Sequence, residues 1–313
     1  MLLFSCADYA FPLLPRERRL ALLRVLGFNH VDLGLFECSD GLRPGQLFSE
    51  PRKSARQLKR DLLRAGLEVA DIFLQTGVAP EDSAENDPSI LVRSRNRKAF
   101  MLAIELSAEL GCVHMTGLPG VQHKSVNEND CYALAAVEAG WRHHAALHSG
   151  VCYAIKPHTD SICSSVVGAR SLLDAVPGLT LTLDYGHFVS QNISSREVHS
   201  LLPFVSHIQV HGAAPNLLQA PMNENKIDFG GMIRRLYKQK YKGVLAIQYV
   251  RADWKQCNHP DNVSETILLR RQLAKHMKPE PEETVAMEAA SFYSPCSSYE
   301  PVAQLEQWPA HDA

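Results

Sequence analysis

One five-residue run, 207–211, alternates histidine or glutamine with aliphatic residues: His207 and Gln209 flank Ile208, and His211 follows Val210. In a strand, successive side chains point to opposite faces, so His207, Gln209 and His211 share one face and Ile208 and Val210 the other. Three polar groups on an interior face are costly unless they line a polar pocket or pair with partners. The run 181–184 repeats the pattern: Thr182 and Asp184 share a face, and Tyr185, Gly186 and His187 follow at once. An aspartate and a histidine three residues apart, where a strand opens into a loop, can address one ligand or ion. In 152–158, Lys156 shares a face with Cys152 and Ala154, and His158 lies two residues on. An inward lysine calls for a carboxylate partner, and Asp184 is the natural one. Gln248 ends a further apolar run, 243–249. His114, toward the end of 112–116, and Asp32, within 29–36, are weaker candidates of the same kind. The chemistry these groups allow is proton transfer by imidazole and electrostatic or Schiff-base chemistry by a desolvated amine.

Such residues need a scaffold that brings many strand ends together. The chain alternates short apolar runs with longer amphipathic ones. The strand-like runs are 1–7, 29–36, 67–75, 112–116, 150–156, 179–184, 205–211 and 243–249. Helix-like stretches fall at 15–26, 53–65, 94–110, 130–148, 163–175, more weakly at 195–201, then at 229–240 and 262–276. Pro15 stands near a first turn, and Gly27, Gly66 and Gly111 mark stops. Eight strand–helix units in order predict a single (β/α)₈ TIM barrel over 1–277, with its polar site at the carboxyl ends of the strands. The competing open, doubly wound sheet is disfavoured because no GxGxxG follows the first strand. The loops 39–50, 77–88 and 117–128 are long enough to cover a pocket. From 278 to 313 the chain is acidic and rich in Pro and Ser without a period, the mark of a flexible tail.

Composition narrows the class. Of 313 residues, 45% are hydrophobic and 21% charged, as in ordinary globular proteins. The formal net charge of −2 gives no broad basic field for nucleic acid. No apolar run reaches the length of a membrane span. The apolar start lacks a basic region and is too short for a signal peptide. Eight scattered cysteines without a CxxC pair predict reduced thiols and a cytoplasmic protein. The implied partner is a small molecule, with a homo-oligomer as the further possibility.

Several stretches together resemble the xylose isomerase-like family of sugar isomerases and epimerases, nearest to its hydroxypyruvate isomerase-type members. They are LPFVSHIQV, NENKIDF and YKGVLAIQY, with LTLDYGH, GVCYAIKPH, GFNHVDL and AIELSAELGC. The resemblance implies a barrel enzyme that moves a proton beside a ketose carbonyl. It also implies a divalent metal, Mn²⁺ or Mg²⁺, held by Glu, Asp, Gln or His, and Glu on the last four strands. Asp184 and Gln209 match two of those metal positions. Lys156 and Gln248 stand where the two glutamates would be. The resulting set holds one cation, one anion and two neutral amides, so a hard dication meets an ammonium where it would need a carboxylate. The sequence therefore predicts a lost or weakened family metal site. A set rebuilt from Asp184 with His158, His187 and His211 would suit a softer ion such as Zn²⁺.

The functional expectation is a sugar or small keto-acid isomerase, epimerase or related lyase. Lys156, His158, His187 and His211 are its candidate catalytic residues, and His207, Gln248 and His114 line the substrate. The alternative is a catalytically silent barrel, binding a sugar-like ligand or serving as a non-catalytic subunit. An endonuclease acting on abasic DNA, the activity of a related branch, needs carboxylates and a basic groove that this chain lacks. A position after the HIQ element, often Arg in hydroxypyruvate isomerase-type relatives, is Asn216 or a neighbour, which argues against hydroxypyruvate as substrate.

Overall fold

The computed structural model describes residues 2–37, 42–251, 255 and 257–277. The tail expected over 278–313 lies outside the described residues, as does the start of the 39–50 loop.

Eight strands close into a barrel in chain order. They are β1 (Leu3–Ala7), β2 (His30–Phe36), β3 (Glu68–Gln75), β4 (His114–Gly117), β5 (Cys152–Ile155), β6 (Thr180–Asp184), β7 (Val205–Val210) and β8 (Val244–Ile247). All neighbours pair in parallel, and β1 closes on β8 with Leu3 opposite Val244 and Cys6 opposite Ile247. That closure sets aside the open sheet. The registers of β2/β3 and β6/β7 slip at Val31/Asp32 and Leu181/Thr182.

The longer helices lie outside, each burying one stripe, and the five-residue helix directly after β6 is buried throughout. The helices are α1 (Arg16–Val25), the short α2 (Pro44–Leu47), α3 (Pro51–Ala65), α4 (Ile90–Leu110), α5 (Glu128–His148), α6 (Val166–Ala175), α7 (Tyr185–Val189), α8 (Ser195–Val198), α9 (Phe229–Lys238) and α10 (Asn262–His276). In α3 the buried residues Ala55, Leu58 and Leu62 recur at helical spacing, with Pro51 in the first turn. Gly66 ends that helix at φ 66°, a left-handed conformation that costs glycine nothing. In α10 Thr266, Leu269 and Leu273 make the buried stripe.

The core is a sleeve of aliphatic side chains between strands and helices, with Leu33, Ile72, Leu183, Ile208, Leu245 and Ile247 all fully buried. Inside the barrel the filling is polar. Ser5, Asp32, Asp71, His114, Thr180, Ser206 and His207 are each at most 9% exposed. Most of their polar atoms pair with one another: Ser5 Oγ donates to Asp32 Oδ1 at 2.7 Å, His207 Nε2 meets Asp32 Oδ2 at 2.7 Å, and His114 bridges Asp71 Oδ1 at 2.7 Å and Ser206 Oγ at 2.8 Å, while Asp71 Oδ2 and His207 Nδ1 have no partner among the described residues. Burial without such partners would be costly.

No helix of the described residues is long and apolar enough to cross a membrane. The described cysteines Cys6, Cys112, Cys131, Cys152, Cys163 and Cys257 are free thiols.

Candidate active site

The carboxyl ends of β5 to β8 deliver the site. Asp184 is the last residue of β6, and its backbone is still extended there. Its side chain caps the helix that begins immediately: Oδ1 accepts the Gly186 N–H at 2.9 Å. That short helix, α7, returns His187 to the same carboxylate, with Nε2 3.7 Å from Oδ2. His211, one residue past β7, places Nε2 3.1 Å from Oδ1 and turns Nδ1 toward the Gly212 carbonyl at 3.0 Å. Gly186 makes the approach possible, because a Cβ there would lie 2.0 Å from His211 Cε1.

Lys156 stands one residue past β5. Its Nζ lies 3.0 Å from Asp184 Oδ2, donates to Gln248 Oε1 at 3.1 Å, and sits 5.6 Å above the Phe73 ring. Gln248, one residue past β8, is held by its N–H to the Val210 carbonyl. Gln209, in β7, donates to the Tyr9 hydroxyl at 3.2 Å. Against the polar cluster, Tyr9, Phe36 and Phe73 pack edge to face, with centroids 4.9 to 6.3 Å apart. His158 completes the ring, 6.0 Å from His187 by centroid.

The electrostatics separate the groups into charged and neutral. Burial alone would raise the Asp184 carboxyl; the charges of His211, Lys156 and His187 outweigh it and hold it well below the usual carboxylate range. Burial, then the Lys156 charge, lowers His158 to about 4. Burial likewise takes His187 well below the ordinary imidazole value, against the pull of Asp184 and with the push of Lys156. The Thr159 N–H reaches His187 Nδ1 at 3.4 Å, which leaves the His187 proton on Nε2, toward Asp184. His158 Nε2 is buried and makes no hydrogen bond among the described residues.

Lys156, Asp184, His187, His211 and Gln248 thus meet in one cluster, with Gln209 and His158 at its border. His207 and His114 do not join it. His114 opens β4 and does not close it, because the strand starts later and runs further than the apolar run suggested. Its ring therefore points into the barrel beside His207, 5.1 Å away by centroid. Sequence reasoning overlooked Tyr9, Phe36 and Phe73, which read as ordinary apolar residues. It also overlooked Asp71, although a lone acid in the run VADIFL was a usable signal.

A divalent ion of the kind the resemblance implies does not fit the strand-end set. The position between Asp184 and Gln248 is taken by the Lys156 ammonium, within hydrogen-bond reach of both. One carboxylate with two amides is a poor donor set for Mg²⁺ or Mn²⁺. The alternative set of Asp184, His158, His187 and His211 does not reach ligand spacing. Among the described residues, the His, Cys and carboxylate group that does is Asp32, Asp71 and His207, whose ligand atoms lie within 4.8 Å of one another.

The model of the xylose isomerase-like TIM barrel matches residues 20–273. The chain belongs to that family. Solved structures of the same fold agree. An L-ribulose 3-epimerase superposes with a TM-score of 0.69 at 15% identity, covering 88% of this chain and 94% of that one. The 3-keto-D-glucoside 4-epimerase of E. coli gives 0.66 at 13%, over 88% and 100%. An AP endonuclease, family 2, from Brucella melitensis gives 0.67 at 16%, over 87% and 99%. Identities this low show a shared fold. No curated protein sequence matches the chain.

Proposed function

We propose that this barrel is an isomerase or epimerase of a small sugar-like ketose, moving a proton beside the carbonyl with an ammonium in place of a metal. The observation that carries the reading is the position of Lys156 Nζ, 3.0 Å from Asp184 and 3.1 Å from Gln248 at the strand ends. A fixed cation there can stabilise the oxyanion that forms when a carbon next to a carbonyl loses its proton. A neutral imidazole, His158 through its open Nε2, takes that proton as the C–H electron pair moves into the carbonyl. The imidazolium so formed can return the proton to the adjacent carbon on the same face, which is isomerisation; inversion at the same carbon, which is epimerisation, needs a second proton donor on the opposite face. Asp184, clamped by His211, holds Lys156 in place. The aromatic wall of Tyr9, Phe36 and Phe73 offers a flat apolar face to the carbon side of a sugar.

The test is deuterium exchange. L-ribulose, D-allulose and hydroxypyruvate are incubated with the protein in D₂O with EDTA, and the C–H signals beside the carbonyl are followed by proton NMR. Exchange of a ketose that survives the chelator and falls about 100-fold in Lys156→Met supports the proposal. Exchange that appears only with added Mn²⁺ refutes it. A second reading, a binding barrel without turnover, has one observation in its favour: Lys156 and Asp184 are 5% and 1% exposed and already paired. Saturable ketose binding with no exchange would select it.

A further inference from the structure

A second polar cleft shares no lining residue with the strand-end site. It lies where the segment after β6 meets the segment between β7 and α9, and it encloses about 500 Å³. Arg196, Lys226 and Arg235 line it, with His199 and the hydroxyl-bearing Ser195. The one carboxylate on the lining is Asp228. Its Oδ1 is spent on the Gly231 N–H at 2.8 Å, where it caps α9. Three permanent cations therefore face one carboxylate, an imbalance of two positive charges in a chain whose overall charge is −2.

Unspent hydrogen-bonding capacity lies beside those charges. Among the described residues neither ring nitrogen of His199 has a partner, and the Tyr185 hydroxyl, on a residue only 1% exposed, has none either. The two rings are 5.8 Å apart by centroid. Burial lowers the proton affinity of His199, and the Arg235 charge lowers it further, against the pull of Asp228. Buried polar atoms without partners cost about 1–3 kcal/mol each, which a ligand with acceptor oxygens can recover.

We infer that this cleft is a binding site for a small phosphate-bearing anion. Guanidinium groups match phosphate oxygens in fork geometry, Lys226 adds a point charge, and His199 and Ser195 supply neutral donors. The volume accommodates a phosphorylated metabolite of sugar or nucleotide size.

Calorimetric titration of the full chain with inorganic pyrophosphate at low ionic strength tests this. Saturable binding is expected, weakening with added NaCl. The double variant Lys226→Glu, Arg235→Glu should lose at least about tenfold in affinity. Both side chains are exposed, so the fold should survive; circular dichroism checks that, and Arg196→Glu gives an independent reading. Lys156→Met should bind as the natural protein does. The inference is overturned by absence of saturable binding up to about 10 mM, by equal binding in the charge-reversed variants, or by loss of binding in Lys156→Met, which would place the anion at the strand ends.

Discussion

Lys156 is bound to Asp184 by geometry and by charge, and each depends on the other. Removing the ammonium would leave Asp184 buried against His211 and His187 alone; removing the carboxylate would leave an ammonium in an apolar setting, which costs several kcal/mol or forces deprotonation. Restoring acids at both departures reverses the balance. In Lys156→Glu, Gln248→Glu three carboxylates face Gln209 across the strand ends. We expect this variant to take up near one equivalent of Mn²⁺, measured by elemental analysis after dialysis, while the natural protein takes up none at this site. Mn²⁺ in the natural protein that vanishes in Asp184→Ala would show the charge argument to be mistaken. The Lys156–Asp184 pairing was legible in the sequence because both residues end apolar strands on adjacent units. The neutral state of His158 and His187 was not, since it arises from burial and from Lys156 together. It also shapes the pH profile. With His158 lowered to about 4, the acid limb of kcat/KM should fall well below the ordinary imidazole value near 6.5; a limb at 6.5 would remove His158 as base.

Among the secondary elements, α7 carries the most at the least length. Its first turn is capped by Asp184, its Gly186 leaves room for His211, and its His187 faces the cluster. Gly186→Ala is therefore expected to push the His211 ring off Asp184. Turnover should fall by about tenfold or more with a modest loss of melting temperature; a variant with full turnover and the natural melting point would mean that α7 yields without cost. The helix was not read from the sequence. YGHFV is five residues long, too short for helical spacing to show, and it follows a strand without a break. The eight strands were legible because each is a short apolar run between polar turns. Their ends were less so: β5 stops at Ile155 and β7 at Val210, just short of the functional residues. The weak helix expected at 195–201 resolves into α8 and a 3-10 turn at His199–Phe204, with Pro203 inside.

Across the whole molecule, titrating groups sit in two tiers with opposite signs. At the strand ends His158 is lowered to about 4 by burial, so between about pH 6.5 and 4 the unfolded chain binds the proton and the folded one does not. Stability should fall as pH drops through that window, and further as Asp184 is protonated below it. Deeper in the barrel burial would lower His114, but the Asp71 hydrogen bond and charge raise it to about 10. That contribution is complete below the unfolded value near 6.5 and is lost as pH rises toward 10. Together the two tiers favour a maximum of melting temperature near pH 6.5, with the Asp8 carboxyl, raised to about 6 by burial, opposing part of the acid limb. His158→Gln should shrink the acid limb, to which the lowered His187 also contributes, and His114→Gln should flatten the alkaline one; a flat profile from pH 5 to 9 in the natural protein would contradict the assignment. The deep tier was only partly legible, since His207 and Asp32 could be placed inside but their pairing depends on a closure that joins β2 to β7 across the barrel. The ammonium at the strand ends has one more consequence. A cation tied to the polypeptide cannot be withheld by scarcity, stripped by a chelator or replaced by a competing ion. If Lys156 does the work of a metal, this barrel has traded the strength of a double charge for independence from trace-element supply.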